Sequence, residues 1–279
     1  MDQFKRFDTV DICDVCGSNL ISSYYKDGDI VVCLDCGFLF VSPRPSIDDI
    51  EASYSGLGFY DTWISESKGR LKLWNKRYNR IKSYLKKTSA VFDFSAGLGT
   101  FLQIVRSHGH RIYGTELSES AKTIALKQYK IELFDSHHYF NNNFSNYFDI
   151  ITAWHVVEHV ESPRLLLTEF YNVLHPGGYL IIAVPNADFK SFKRIFQRQN
   201  MELAFPKLRI GEEIHLSHFT EETLVRLLTT IGFQILEVGI DDHFAIRNFK
   251  TKTMYYLYEC IRFLTHKNIS HTIYVVAQR

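Results

Sequence analysis

Residues Val91 to Leu102 read VFDFSAGLGTFL, an apolar strand that runs into a turn at Ser95 to Gly99 and then into a helix. Gly97 and Gly99 let the backbone approach a ligand where a Cβ would collide, and the helix start behind them offers unpaired N–H groups. Nineteen residues after Gly97, Glu116 closes the next apolar stretch, RIYGTEL, where a carboxylate can accept both hydroxyl hydrogens of a ribose. Strand, glycine turn, helix and acidic strand end form the opening unit of a doubly wound α/β sheet. Such a sheet binds a nucleoside-bearing ligand at the carboxyl ends of its strands.

Two cofactors fit that unit, NAD and S-adenosylmethionine. A dinucleotide fingerprint wants a third glycine for close helix packing, and Leu102 stands at that position. Asp93 lies inside the strand two residues before the turn, where a carboxylate attracts the ammonium of a methionine moiety. NAD has no such cation on that side, so the residues favour S-adenosylmethionine, with an NAD-dependent oxidoreductase as the rival enzyme.

Three later stretches extend the pattern: FDIITAWHVVEHVESP (148–163), LHPGGYLIIAVPN (174–186) and HLSHFTEETLVRLLTTIGF (215–233). With the first, they make most of residues 50 to 240 resemble the class I S-adenosylmethionine-dependent methyltransferases. Ser95-Ala96 is a departure, since the family more often has Gly-Cys or Gly-Ser there. The resemblance implies a Rossmann-like, mostly parallel, seven-stranded sheet whose last strand, HTIYVVAQR, is antiparallel. Strands are expected near 90–95, 111–116, 131–134, 148–154, 178–184, 233–240 and 271–278. It further implies a cofactor site made of Tyr54, Asp93, Ser95, Gly97, Gly99, Glu116, Leu117, Asp135, Ser136 and His155. The product would be S-adenosylhomocysteine.

Methyl transfer to a hydroxyl or an acidic carbon needs a base, and histidine has the suitable pKa. Of twelve histidines, five fall in these stretches; His175 belongs to the helix-to-strand turn, and the other four stand at motif positions. His155 and His159 flank the end of the fourth strand with Glu158 between them. His215 and His218 precede Thr220, the expected N-cap of a helix that starts with Glu221 and Glu222. The resemblance places the catalytic candidates at His155, His159, His215 and Tyr60. Relatives that methylate sugar carbons carry an acidic residue before the third of these histidines. Ile214 stands in that slot, which tilts the reading toward oxygen as the acceptor.

Upstream, Cys13-x-x-Cys16 and Cys33-x-x-Cys36 are separated by sixteen residues, with Gly17 and Gly37 immediately after the pairs. This is zinc-ribbon spacing, in which four thiolates close the coordination shell around a structural ion. Disulfides or free thiols are the competing readings. The fifth cysteine, Cys260 in MYYLYECIRFL, reads as a small core residue. A subset of the resembling enzymes begins with such a zinc module, and many of those act on nucleotide-linked sugars.

The expected organisation is a zinc ribbon over 9–42, a linker and helical extension over 43–88, and a methyltransferase domain over 89–279. The irregular, aromatic and basic stretch 186–218 is expected to act as a lid. Apolar residues from Leu71 to Leu85 recur at helical spacing, predicting an amphipathic helix within 68–87. Lys and Arg total 32 against 31 for Asp and Glu, and the chain is 46% hydrophobic, so a packed core is expected and no charge excess draws it to nucleic acid or a membrane. The absence of an apolar leader points to the cytoplasm. The sequence therefore predicts methylation of a small polar metabolite, with nucleotide-linked sugars among the candidates. A non-catalytic zinc-ribbon adaptor or nucleic-acid-binding protein with a methyltransferase fold is the alternative. Oligomeric state is not encoded in any of these features.

Overall fold

The computed structural model describes residues 7–24, 29–46, 49–50, 67–135, 144–189, 214–241 and 249–279. The N-terminal part contributes β1 (Phe7–Asp8), β2 (Ile21–Ser23), β3 (Ile30–Cys33), β4 (Leu39–Val41) and β5 (Arg44–Pro45). β2, β3 and β4 form an antiparallel meander, and β1 pairs with β5.

The amphipathic helix predicted near 68–87 is α1 (Ser67–Ile81), closed by a 3-10 turn at Lys82–Tyr84. Strands and helices then alternate: β6 (Ala90–Phe94), α2 (Thr100–Ser107), β7 (Arg111–Gly114), α3 (Glu119–Tyr129), β8 (Phe148–Trp154), α4 (Pro163–Val173) and β9 (Leu174–Pro185). After the short β10 (Ser217–His218) come α5 (Glu221–Ile231), β11 (Gln234–Gly239), α6 (Phe249–Thr265) and β12 (Thr272–Gln278).

Among the described residues, the main sheet has six strands in the order β11-β12-β9-β8-β6-β7. β7, β6, β8 and β9 run parallel, and β12 is antiparallel to both of its neighbours, as expected. The anticipated strand at 131–134 is reduced to a single parallel bridge, Thr115 to Phe134, beyond β7. The turn in LHPGGY is absorbed into the start of β9, where a Cβ on Gly178 would meet the carbonyl oxygen of His175 at 2.9 Å.

Both sheet faces are covered, which explains the continuous apolar runs in the central strands. On one face Phe92, Phe148, Leu180 and Val275 pack with Leu167 and Phe170 of α4 and Leu224 and Leu228 of α5. On the other, Val91, Ile150, Ile181 and Tyr274 pack with Trp74, Tyr78 and Ile81 of α1 and Phe101 and Val105 of α2. Helix starts follow the sequence signals. Ser162 caps α4 ahead of Pro163, and Thr220 and Thr223 cap each other at the start of α5.

The cysteine-bearing meander is joined to this sheet rather than hung from it. Cys13, Val15, Cys33, Phe38 and Phe40 belong to the same apolar cluster as Phe92 and Phe148. β10 adds to the meander as a fourth strand, pairing Ser217 with Phe40 and His218 with Leu39. Asp14 accepts from the Ser162 hydroxyl and the Arg164 backbone N–H, while the Arg164 guanidinium donates to the carbonyls of Asp14 and Val15 at 2.6 Å each. Cys260 is exposed on α6, contrary to the core placement read from its apolar neighbours. Tyr256, Leu257, Phe263 and Leu264 of the same helix are also exposed, so its apolar residues are shared between the core side and solvent.

Candidate active site at the carboxyl ends of the strands

The turn after β6 is built from left-handed backbone at Ser95, Gly97 and Gly99, with φ of 58°, 55° and 72°. Only glycine takes such angles without cost, so Ser95 is strained by its position, a feature that collects at functional turns. A Cβ on Gly99 would come within 3.2 Å of the Ala125 Cβ, which keeps α2 close to α3. The close packing that a third glycine on the helix would provide comes instead from the neighbouring strand. Leu102 is fully buried against Gly114 of β7, where a Cβ would lie 2.7 Å from its Cδ1 and 3.0 Å from the Asp93 carbonyl oxygen.

Glu116 follows β7 and is almost wholly buried. Its carboxylate accepts the Gly97 N–H at 2.8 Å and the Ser118 N–H at 3.0 Å, which ties the glycine turn to the next strand end. Leu117 and Phe134 present exposed apolar surface beside Glu116. Asp135 is exposed and ion-paired to Lys122, which also holds Glu119.

Asp93 sits in the middle of the sheet. Burial pushes its carboxyl up to about 7, with Glu116 adding to the rise, against the pull of the Thr152 hydroxyl and the Arg77 charge. The Thr152 hydroxyl, directly across in β8, donates to Asp93 at 2.5 Å.

His155 is the first residue beyond β8 and has left-handed backbone, φ 55°, with its N–H bonded to the Ala183 carbonyl at 2.8 Å. Its Nε2 meets Asp241 at 3.2 Å, and its Nδ1 lies 3.9 Å from Oε1 of Glu158. Asp241 follows β11 and is buried, as is its ion-pair partner Arg77 of α1. The guanidinium of Arg77 rests between the rings of Trp74 and Trp154, at 4.7 and 4.5 Å from their centroids. Burial alone would raise the Asp241 carboxyl, but Arg77 and then His155 hold it well below the usual carboxylate range. Sequence reading missed Arg77 and Asp241, because each looks like an ordinary polar residue in its own segment.

His159 is placed differently. Its Nδ1 donates to the Ile214 carbonyl at 2.6 Å, and its ring packs edge-on against His215 with centroids 4.8 Å apart. Donor atoms of Glu158, His159 and His215 lie within 4.8 Å of one another. Burial, then the nearby His215, pushes His159 down to about 3, and the same two causes bring His218 to about 3. Histidines held that low stay neutral at ordinary pH and make weak bases.

The four paired cysteines converge as their spacing suggested. The Sγ atoms of Cys13 and Cys36, and those of Cys16 and Cys33, are 3.5 Å apart, and all four lie within 4.8 Å. A tetrahedral ion with Zn–S bonds of about 2.3 Å needs S···S edges of roughly 3.8 Å, so the cluster can hold one. Gly17 and Gly37, with φ of 77° and 73°, donate to the carbonyls of Cys13 and Cys33 and form the two knuckles.

The fold thus brings Asp93, Ser95, Gly97, Gly99, Glu116, Leu117, His155 and the His159–His215 pair to the carboxyl-end side of β6, β7 and β8. Asp135 lies on its exposed margin. Tyr54, Tyr60, Ser136 and residues 190–213 of the expected lid lie outside the described residues.

Comparison with known proteins agrees with this architecture. A family model for the methyltransferase domain matches residues 67–238. Among curated proteins, ubiquinone biosynthesis O-methyltransferase from Coxiella burnetii is 23% identical over 163 residues, 56% of this chain and 69% of that protein. The enzyme of the same description from Hydrogenovibrio crunogenus is 24% identical over 202 residues, 68% of this chain and 83% of that protein. Among solved structures, a SAM-dependent methyltransferase from Archaeoglobus fulgidus superposes with a TM-score of 0.53 at 20% identity, covering 78% of this chain and 99% of that one. Magnesium protoporphyrin IX methyltransferase from Synechocystis PCC 6803, with bound SAH, gives 0.54 at 13% identity, covering 84% and 100%. The structural likenesses establish the fold, and the family match over more than half the chain establishes the class: this protein belongs to the methyltransferase domain family and is an S-adenosylmethionine-dependent methyltransferase.

Proposed function

We propose that the protein transfers the methyl group of S-adenosylmethionine to a hydroxyl oxygen of a small polar molecule, releasing S-adenosylhomocysteine. The observation that carries this reading is the convergence of Asp93, the Gly97–Gly99 turn, Glu116 and His155 at the carboxyl ends of β6, β7 and β8. In it, Glu116 takes the ribose hydroxyls, Asp93 faces the methionine ammonium, and the exposed Leu117 and Phe134 cover the adenine with Asp135 at its edge. Tyr54, Tyr60 and Ser136 complete the pocket in the sequence reading.

His155 is the base. His159 and His218 are held near 3, so they take up a proton poorly, and His159 already donates to Ile214. The neutral thioether released from the sulfonium is an excellent leaving group, so alignment of acceptor, methyl and sulfur supplies much of the acceleration. The base removes the hydroxyl proton as the new C–O bond forms and the S–CH3 bond breaks.

Oxygen is favoured over carbon because the curated relatives are O-methyltransferases by name and Ile214 replaces the acidic partner expected of the carbon-methylating group. Those relatives bear the name of ubiquinone biosynthesis, so support for a nucleotide-linked sugar comes only from the cysteine module. That module holds a structural zinc ion through Cys13, Cys16, Cys33 and Cys36; four thiolates leave no open position for catalysis.

Calorimetry on zinc-replete protein tests the reading, with S-adenosylmethionine, S-adenosylhomocysteine and NAD as titrants. Binding of both sulfur compounds and not of NAD is the expected result. Transfer of isotopically labelled methyl to members of a hydroxyl-bearing metabolite panel then identifies the acceptor. Failure of well-folded protein to bind either sulfur compound would overturn the site.

A further inference from the structure

A buried ion pair is a poor source of stability, because the desolvation of two charges offsets their attraction. Arg77 and Asp241 nevertheless form one at the edge of the candidate site, with side chains 5% and 3% exposed. Asp241 has two further anchors: its carbonyl oxygen accepts from the Thr272 hydroxyl at 2.6 Å, and its carboxylate meets His155 Nε2 at 3.2 Å. Arg77 is fixed in turn between Trp74 and Trp154. The His155 backbone is held in the left-handed region, which turns its ring toward Asp241 across 86 residues of sequence.

An ionised carboxylate only accepts hydrogen bonds, so the nitrogen facing it must carry the hydrogen. We propose that Asp241, braced by Arg77, is a positioning residue that fixes His155 as the Nε2–H tautomer and so reserves its Nδ1 lone pair for the proton of the acceptor hydroxyl. This rests on the assignment of His155 as the base. When Nδ1 takes the proton, the new imidazolium lies between Asp241 on Nε2 and Glu158 at 3.9 Å from Nδ1, and both carboxylates offset its charge. His159 is the neighbouring imidazole on the Glu158 side, 3.7 Å from the same carboxylate oxygen, and Arg77 is the cation behind Asp241. The arrangement divides the work: Asp241 orients, and His155 takes the proton.

Side-chain 15N NMR of histidine-labelled, zinc-replete full-length protein tests this without altering the site. The His155 signals are assigned by their loss in His155→Gln. The expected result is the Nε2–H tautomer in the wild type. In Asp241→Asn, whose amide can donate to Nε2, the population should shift toward Nδ1–H, while S-adenosylmethionine affinity measured by calorimetry stays within about threefold. A Nδ1–H tautomer in the wild type overturns the proposal, as does an unchanged His155 spectrum in folded Asp241→Asn. If Asp241→Asn fails to fold, the wild-type spectrum alone decides. Absence of S-adenosylmethionine binding by the wild type counts against the function of the site and leaves the tautomer result independent of it.

Discussion

Asp93 shows how one residue's surroundings make a ligand's charge matter. Its carboxyl is raised to about 7 by burial, against an ordinary value of 3.8. Between those two values the folded protein keeps a proton that the unfolded chain has lost, so this group's contribution to stability falls as pH rises through that window. A cation arriving beside Asp93 favours the carboxylate and expels the proton. S-adenosylmethionine binding below pH 7 should therefore release up to one proton and weaken as the solution is acidified, by as much as tenfold per pH unit. Calorimetry from pH 5.5 to 8 in buffers of different ionisation enthalpy reads both effects, and Asp93→Asn should abolish the proton release. A pH-independent affinity in the wild type would remove the ammonium from the vicinity of Asp93. The groups that set this response are Thr152, Arg77 and Glu116, and of these only Glu116 was singled out from the sequence.

At the scale of elements, the proposed cofactor unit is held together because β6, α2 and β7 approach closely enough for one turn to be held by two strands. Gly114 is the contact on which that depends, since a Cβ there would overlap Leu102 and crowd the Asp93 carbonyl and Leu133. Gly114→Ala should destabilise by about 1–3 kcal/mol through overpacking. Because Gly97 and Glu116 are bonded across the same gap, it should also weaken S-adenosylmethionine binding. Thermal unfolding and calorimetry on the variant check the two effects, and an unchanged affinity would mean that the turn is set by α2 alone. The elements that could be read from the sequence are those with local signatures: the glycine turn, the Thr220 cap and the alternation of apolar strands with amphipathic helices. Those that could not are made by distant partners. Strand β10 is two residues long and exists because β4 offers it an edge, a pairing that joins Ser217 to Phe40. The expected strand at 131–134 becomes one bridge because only Thr115 and Phe134 meet beyond β7. The Arg77–Asp241–His155 group is assembled from α1, β11 and β8, and no spacing in the sequence links those segments.

Across the whole molecule, the cysteine module packs against the segments that carry the candidate active site. Its strand β4 pairs with β10, the Val41 N–H donates to the Leu216 carbonyl at 2.9 Å, and Leu216 and Ser217 in turn donate to the Glu158 carbonyl at 2.8 and 3.0 Å. The segment carrying His215 is thereby clamped between the proposed metal site and the turn after β8. Arg44 extends the clamp to Glu161, and Arg164 to Asp14 and Val15. If zinc holds the two knuckles, its binding energy stabilises this junction and the shared apolar core as well as the module. An ion present at a thousand times its Kd adds about 4 kcal/mol to folding, which for a chain of this size is roughly 10 °C in Tm. Removing it with a chelator should therefore lower a single cooperative transition by about that amount and weaken S-adenosylhomocysteine binding, with both restored by added zinc. Two separate transitions, with only the smaller one sensitive to chelation and cofactor affinity unchanged, would instead mark the module as energetically independent. The continuity of Cys13, Cys33 and Phe38 with Phe92 and Phe148 in one apolar cluster is the physical reason to expect one transition, because unfolding the module exposes side chains that the main sheet also needs buried.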